Sequence, residues 1–285
     1  MTITAPRVTT VSELIAAMRA QQEEGAAHTT PATSVTSGTP LRTASPSLLV
    51  VAAHAGAGAT AVSVALADAL AAALSDGTGR SVREVHLVDG APTERSGMLG
   101  ATGRDMANVG SSWRMGRRKA VWVFRPVHSM SPFDLPPLPP CGSALVVADS
   151  GTDWRTLTST SSPLWPPEEG VELVVVFRAT VPGARQVEGA LAALPGNPYV
   201  VGVGAKRWPP PAAAAFGPRL GSARSQGRVA LFPADRHLEL NGIDTEPFAR
   251  PLASAAAELI ERIWHDFTGA SANQTTHQNR KGLRR

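Results

Sequence analysis

Between an apolar run, Leu48 to Ala53, and a helical pattern, Thr60 to Leu74, the chain reads His54-Ala55-Gly56-Ala57-Gly58-Ala59-Thr60. Small residues through this turn let the backbone bend tightly and approach a ligand. The N–H groups of the loop and of the helix start then converge on one spot, a geometry that favours an anion, typically phosphate. The binding candidates are His54, Gly56, Ala57, Gly58, Ala59, Thr60 and Ala61. The same stretch, Gly56 to Ala61, also fits the dinucleotide pattern Gly-x-Gly-x-x-Gly/Ala, with Asp89 as a ribose ligand, which would imply an NAD(P)-dependent oxidoreductase. Against that, Asp89 lies 28 residues beyond Ala61 (89 minus 61) rather than about 20, and no catalytic Tyr/Lys or His/Asp pair stands out. A purely structural tight turn is the third alternative.

Such a loop needs a strand before it and a helix after it. Short apolar runs occur at Leu48 to Ala53, Val82 to Val88, Ala120 to Phe124, Ala144 to Ala148, Val171 to Phe177, Tyr199 to Val203 and Arg228 to Phe232. Several are nearly continuous in Val, Leu and Ala, as expected of parallel strands covered on both faces. Helical patterns fall at Thr60 to Leu74, Gly183 to Leu194 and Pro251 to Phe267. The alternation predicts an α/β, doubly wound, mostly parallel sheet flanked by helices over residues 47–268. Ligands of such sheets bind at the carboxyl ends of the strands, where this loop sits. Ahead of it, residues 8–24 read as one amphipathic helix with a Thr10/Glu13 capping box, and 25–46 as a Thr/Ser/Pro-rich linker. Residues 1–46 thus form an N-terminal helix and disordered linker, and 269–285 a disordered basic tail.

The loop resembles the deviant P-loop, Lys-Gly-Gly-x-Gly-Lys-Thr, of the MinD/ParA (SIMIBI) superfamily of dimeric P-loop ATPases, and the similarity extends along most of residues 47–266. Leu87-Val88-Asp89-Gly90-Ala91-Pro92 resembles the family's apolar-Asp-x-Asp-Pro segment, with Ala91 in place of the second carboxylate. Leu145-Val146-Val147-Ala148-Asp149 resembles a Walker B strand, and Leu231-Phe232-Pro233-Ala234-Asp235 the family's Ile-Pro-x-Asp stretch. The resemblance implies ATP or ADP with Mg²⁺ as cofactor, Thr60, Asp89 and Asp149 around the metal, Asp89 and Asp149 as the catalytic candidates, and a homodimer.

Two departures bear on mechanism. His54 stands where the family has its signature lysine, and Ala59 where it has the P-loop lysine. Both fixed cations are replaced, and a charge-assisted hydrogen bond is worth about 1.5–3 kcal/mol. The segment Lys206-Arg207 carries no Asn where the family often presents one to adenine. An Ala-Thr loop ending occurs in the atypical TadZ/CpaE-type branch, which acts in localisation and assembly. The resemblance therefore implies a degenerate member, nucleotide-binding at most and poorly or non-hydrolysing, that acts as a positioning, recruitment or assembly factor. The alternative within the family is an active ATPase with a relocated arginine, from Arg114 to Arg118 or Arg178.

Charge adds a second layer. The 285 residues carry a net charge of +4, and the four basic residues Arg280, Lys281, Arg284 and Arg285 account for it. The remainder is neutral but locally basic, with Arg114, Arg117, Arg118 and Lys119 forming a candidate surface for non-specific DNA contact. A protein partner is expected at the helix of residues 10–24. One cysteine, Cys141, excludes an intramolecular disulfide framework and reads as a free structural thiol. The absence of a long apolar stretch or basic-then-apolar leader predicts a cytoplasmic protein with no membrane span.

Overall fold

The computed structural model describes residues 47–75, 83–103, 105–128, 135–139 and 141–265. The expected N-terminal helix, linker and basic tail lie outside them. Nine strands form one sheet in the order β3-β4-β5-β2-β6-β1-β7-β8-β9. They are β1 (Leu48–Ala52), β2 (Val85–Asp89), β3 (Asp105–Val109), β4 (Trp113–Arg118), β5 (Val121–Pro126), β6 (Leu145–Asp153), β7 (Glu172–Arg178), β8 (Tyr199–Val203) and β9 (Val229–Phe232). The seven from β5 to β9 are parallel along the row, and β4 and β3 add to its edge antiparallel.

Helix α1 (Ala59–Ala73) follows the loop and packs Val62, Leu66 and Leu70 onto Val50, Leu87 and Val147. The final helix, residues 250–265, adds Leu252, Leu259, Ile260 and Ile263 to the same layer. On the opposite face Leu49, Val51, Val175 and Phe177 meet Ala184, Val187 and Ala190 of a second long helix (Val181–Ala193). That helix starts where Thr180 accepts the Gly183 N–H at 3.2 Å. Alternate residues of each strand thus feed two separate cores, which is why the parallel strands are apolar throughout.

The strand order excludes the dinucleotide-binding alternative. In that fold the first strand lies beside the second, whereas here β6 lies between β1 and β2.

Ahead of the strand expected at Ala120 to Phe124, which is β5, the sheet gains the hairpin β3–β4, which the sequence did not show. On β4, Trp113 and Met115 pack into one core, while Arg114, Gly116 and Arg118 occupy the other face. A side chain at Gly116 would strike Thr102 at 2.8 Å. The alternation is real, but its α1-facing half is Arg-Gly-Arg rather than apolar.

Arg118 is 2% exposed. Its Nε lies 3.2 Å from both carboxylate oxygens of Asp68 on α1, Nη2 donates to the Glu246 carbonyl at 2.9 Å, and Nη1 donates to the Asp244 carbonyl. It bolts the hairpin to α1 and to the 244–246 turn. This corrects its place among the DNA-contact candidates, because a buried guanidinium with its donors engaged has none to offer a phosphate. Lys119 also pairs with Asp68, at 3.0 Å, and Arg117 lies over the Trp122 ring at 4.7 Å, but both remain exposed, as does Arg114.

Candidate functional site

The loop after β1 turns through two glycines in the left-handed region, Gly56 at φ 73° and Gly58 at φ 93°. A residue with a Cβ is strained there. Gly58 caps α1 with no side-chain hydrogen bond, and the first turn contains no acid. The leading N–H groups of a 15-residue helix therefore meet no side-chain acceptor at the cap, and the positive end of its dipole points at the loop. Within the loop, the Ala57 N–H closes the turn onto the His54 carbonyl at 3.2 Å. Ala59 is buried and offers no charge, and Ala61 lies in the first turn of α1.

His54 is committed elsewhere. Its Nε2 accepts the backbone N–H of Arg178 at 3.2 Å, and Nδ1 lies 2.9 Å from the Ala55 carbonyl. This pairing selects the tautomer with its proton on Nδ1. The Arg178 guanidinium packs beside Gly204 and lies 3.9 Å from Glu239. Among the other arginines expected to enter the site, Arg114 to Arg118, Arg118 is anchored on Asp68.

Two carboxylates face the loop from neighbouring strands, Asp149 on β6 directly beside Asp89 on β2. Asp149 is 1% exposed; one oxygen, Oδ1, accepts the Gly151 N–H at 3.1 Å, while Oδ2 is buried with no hydrogen-bond partner. Burial pushes its pKa up, and the Thr60 hydroxyl and the Gly151 N–H pull it down. Asp89 accepts the Ala91 N–H at Oδ1, 2.9 Å away, and the Ser96 hydroxyl at Oδ2. Burial, then the charge of Asp149, push its pKa up to about 7, against downward pulls from Ser96, Ala91 and Arg125. A buried carboxylate oxygen left without a donor beside a second carboxylate and a threonine hydroxyl is a donor set suited to a hard cation that keeps part of its shell for water and phosphate. No larger cluster of His, Cys, Asp or Glu able to hold a metal occurs among the described residues.

The structure thus brings together the loop, Thr60, Asp89 and Asp149. It adds residues the sequence did not single out. Ser96 and Gly97 fold over Thr60, close enough that a Cβ on Gly97 would lie 3.3 Å from its methyl. Val203 backs Gly58, 3.4 Å from where a Cβ would stand. Arg125 ends the apolar run of β5 next to Asp89, just as Asp89 and Asp149 end theirs. A charge closing an apolar run was the available signal.

The mostly parallel nine-stranded sheet flanked by helices, with a small-residue loop between its first strand and helix, has the fold of the ParA/MinD-type P-loop NTPases. The chain is similar to the structure of a ParA family ATPase from Chlorobium tepidum, at 12% identity, with TM-score 0.50, over 75% of this chain and 96% of that one. It is also similar to a protein assigned to plasmid partition in Borrelia burgdorferi, bound to AMPPNP (11%, TM-score 0.48, 78% and 99% covered). A third similar structure is the MinC:MinD cell division complex of Aquifex aeolicus (13%, TM-score 0.46, 76% and 95% covered). At 12% identity the likeness to the ParA family ATPase bears on the fold alone. No protein-family model and no curated protein sequence matches the chain.

Proposed function

We propose that this protein is a degenerate ParA/MinD-like nucleotide-binding protein that hydrolyses ATP poorly or not at all. It acts as a positioning, recruitment or assembly factor, in partitioning, conjugation or secretion and pilus machinery. One observation carries the reading: the loop turns through two left-handed glycines onto the start of α1, which has no side-chain cap, while Ala59 and His54, whose Nε2 accepts from Arg178, stand where the resemblance expects lysines. Backbone N–H groups of the loop and of α1 hold the phosphates. Thr60, Asp149 and Asp89 hold Mg²⁺, which supplies positive charge against the phosphate oxygens. Without a lysine, little is left to neutralise charge developing on a transferred phosphoryl group, and an inserted cation there contributes roughly 10³–10⁵ in rate.

The protein works in this reading as a homodimer, with the helix of residues 10–24 recruiting a protein partner. Exposed Arg114, Arg117 and Lys119 are its remaining candidates for non-specific DNA contact. No helix among the described residues is long and apolar enough to cross a membrane.

The test is a calorimetric titration with ATP, ADP and NADH, each with Mg²⁺, alongside phosphate release with and without DNA. Binding of ATP or ADP but not NADH, with little release, is expected. Turnover at ordinary ATPase rates that Asp149→Ala abolishes would overturn the non-hydrolysing reading, and no binding of ATP or ADP would reduce the loop to a structural turn.

A further inference from the structure

One buried base takes no part in the site above. His86, in the middle of β2, is 6% exposed. Its neighbours Val85 and Leu87 belong to the core under α1, so the ring lies on the opposite face of the sheet, with Val88, Phe124 and Val146. The strand registers set Arg117 opposite Trp122, Trp122 beside His86 and His86 beside Val146, one row across β4, β5, β2 and β6. The centre of the imidazole lies 5.0 Å from that of the Phe124 ring. Nε2 is 3.3 Å from a carboxylate oxygen of the exposed Glu84, whereas Nδ1 is buried with no hydrogen-bond partner among the described residues.

The connection from β5 to β6 packs on this face. Its described stretches, 127–128, 135–139 and 141–144, contain no helix. Leu138 and Cys141 join the core there, and the Trp113 indole donates to the Pro137 carbonyl at 2.9 Å. The Ala144 N–H donates to the Cys141 carbonyl at 2.9 Å, and Leu145, the first residue of β6, donates to the Glu84 carbonyl at 2.9 Å. Over β1 and β7 the same face is covered instead by the long helix Val181–Ala193. A cover that rests on few buried side chains, without a helical hydrogen-bond ladder, belongs to the parts of a fold that open first.

In the neutral ring the proton sits on Nε2, toward Glu84, and Nδ1 keeps a lone pair. A second proton goes on Nδ1, where it places an N–H and a positive charge in apolar surroundings with nothing to accept it. The charged and titratable groups around the ring are Glu84 on β2 itself, Arg117 on β4 and Cys141 in the connection, while β5 presents Trp122 and Phe124 and β6 presents Val146. Arg117 lies over the Trp122 ring at 4.7 Å and adds a like charge to that row. The Cys141 thiol, pushed up to about 11 by burial, stays neutral. Burial outweighs the pull of Glu84 and holds His86 below its ordinary 6.5. We propose that His86 is an acid-sensitive latch, whose neutral ring keeps the stretches 135–139 and 141–144 seated on the sheet and whose protonation unseats them while the core under α1 stays intact. The ring of the opened form takes the proton first, so seating is fully favoured above about pH 6.5 and is lost progressively as pH falls below it. The latch does not depend on what the loop binds.

The test follows the reaction of Cys141, the single cysteine, with 4,4′-dithiodipyridine in the full-length protein from about pH 7.5 to about pH 5, each rate divided by that of the urea-unfolded chain at the same pH. The wild type is expected to react about fivefold faster or more at the acid end, with unchanged far-ultraviolet circular dichroism. His86→Gln, which carries no titrating ring, is expected to react equally at both ends. Glu84→Gln, a change at an exposed side chain, removes the group that favours the charged ring and is expected to move the midpoint to lower pH. Equal pH dependence in wild type and His86→Gln overturns the proposal, as does a wild-type rate that stays constant or rises only with loss of circular dichroism. If His86→Gln does not fold, the Glu84→Gln midpoint decides, and an unshifted midpoint overturns the latch.

Discussion

The backbone N–H of Arg178 donates to Nε2 of His54 at 3.2 Å, across 124 positions of sequence, and turns the imidazole toward the end of β7. With Nε2 as the acceptor, the ring proton sits on Nδ1, toward the Ala55 carbonyl. His54→Ala leaves the Arg178 N–H without this acceptor and is expected to cost about 1–3 kcal/mol. Chemical denaturation measures it, and unchanged stability would show that the pairing contributes nothing.

Ala59→Lys restores the missing loop cation. Nucleotide affinity with Mg²⁺ is expected to rise about tenfold or more, the equivalent of one charge-assisted hydrogen bond. Calorimetry decides it. An unchanged affinity would mean that the loop does not present residue 59 to phosphate.

Gly58→Val forces φ near 93° on a β-branched residue and brings its Cβ to 3.4 Å from Val203. The strain is expected to cost roughly 1–3 kcal/mol, leaving a folded domain with lowered nucleotide affinity. Native circular dichroism together with wild-type affinity would refute the loop as the binding element.

Asp89 gives a pH signature. Burial and the charge of Asp149 raise its carboxyl to about 7 in the folded chain, against an ordinary value of 3.8. Between those values the folded state holds the proton and the unfolded state has lost it. The stabilisation is therefore fully present below about pH 4 and disappears as pH rises through 7, on the order of 4 kcal/mol in all. Asp89→Asn should flatten this part of the ligand-free pH–stability curve. Mg²⁺–nucleotide binding has the opposite slope, since it requires the charged form: it should strengthen from pH 6 to 8 and release protons. Calorimetry in buffers of different ionisation enthalpy detects the release, and binding heats independent of the buffer would contradict it.

Arg118→Ala should destabilise the protein by about 3–5 kcal/mol, because it leaves the Asp68 carboxylate to the exposed Lys119 alone among the described cations and removes donors from two carbonyls. Urea unfolding measures the loss. A change below about 1 kcal/mol, the worth of an exposed pair, would show that the site is wetter than its 2% exposure indicates.

What could be foreseen from sequence follows from how each element is buried. Strands such as Val174 to Phe177 lie between two helical layers and are apolar throughout, so they stand out. The loop stands out because small residues are concentrated between such a strand and an alanine-rich helix. The hairpin β3–β4 does not, because Arg114, Gly116 and Arg118 occupy one of its faces and its buried charge is satisfied by Asp68, 50 positions away. Arg125 was equally hidden: its neighbourhood with Asp89 depends on the register of β5 against β2, which no local pattern encodes. The basic residues near Lys119 were visible as a cluster, but only folding separates the buried anchor from its exposed neighbours.

The loop that holds His54 and Ala59 has a consequence for covalent control. The chain contains three lysines, Lys119, Lys206 and Lys281, and none lies in the loop. Acylation silences a phosphate-binding lysine by removing its charge, and it finds no amine to modify here. In the proposed reading, occupancy of the loop therefore depends on nucleotide, metal and proton concentrations and not on lysine modification, and the same absence leaves the loop untouched by amine-directed labelling or surface immobilisation.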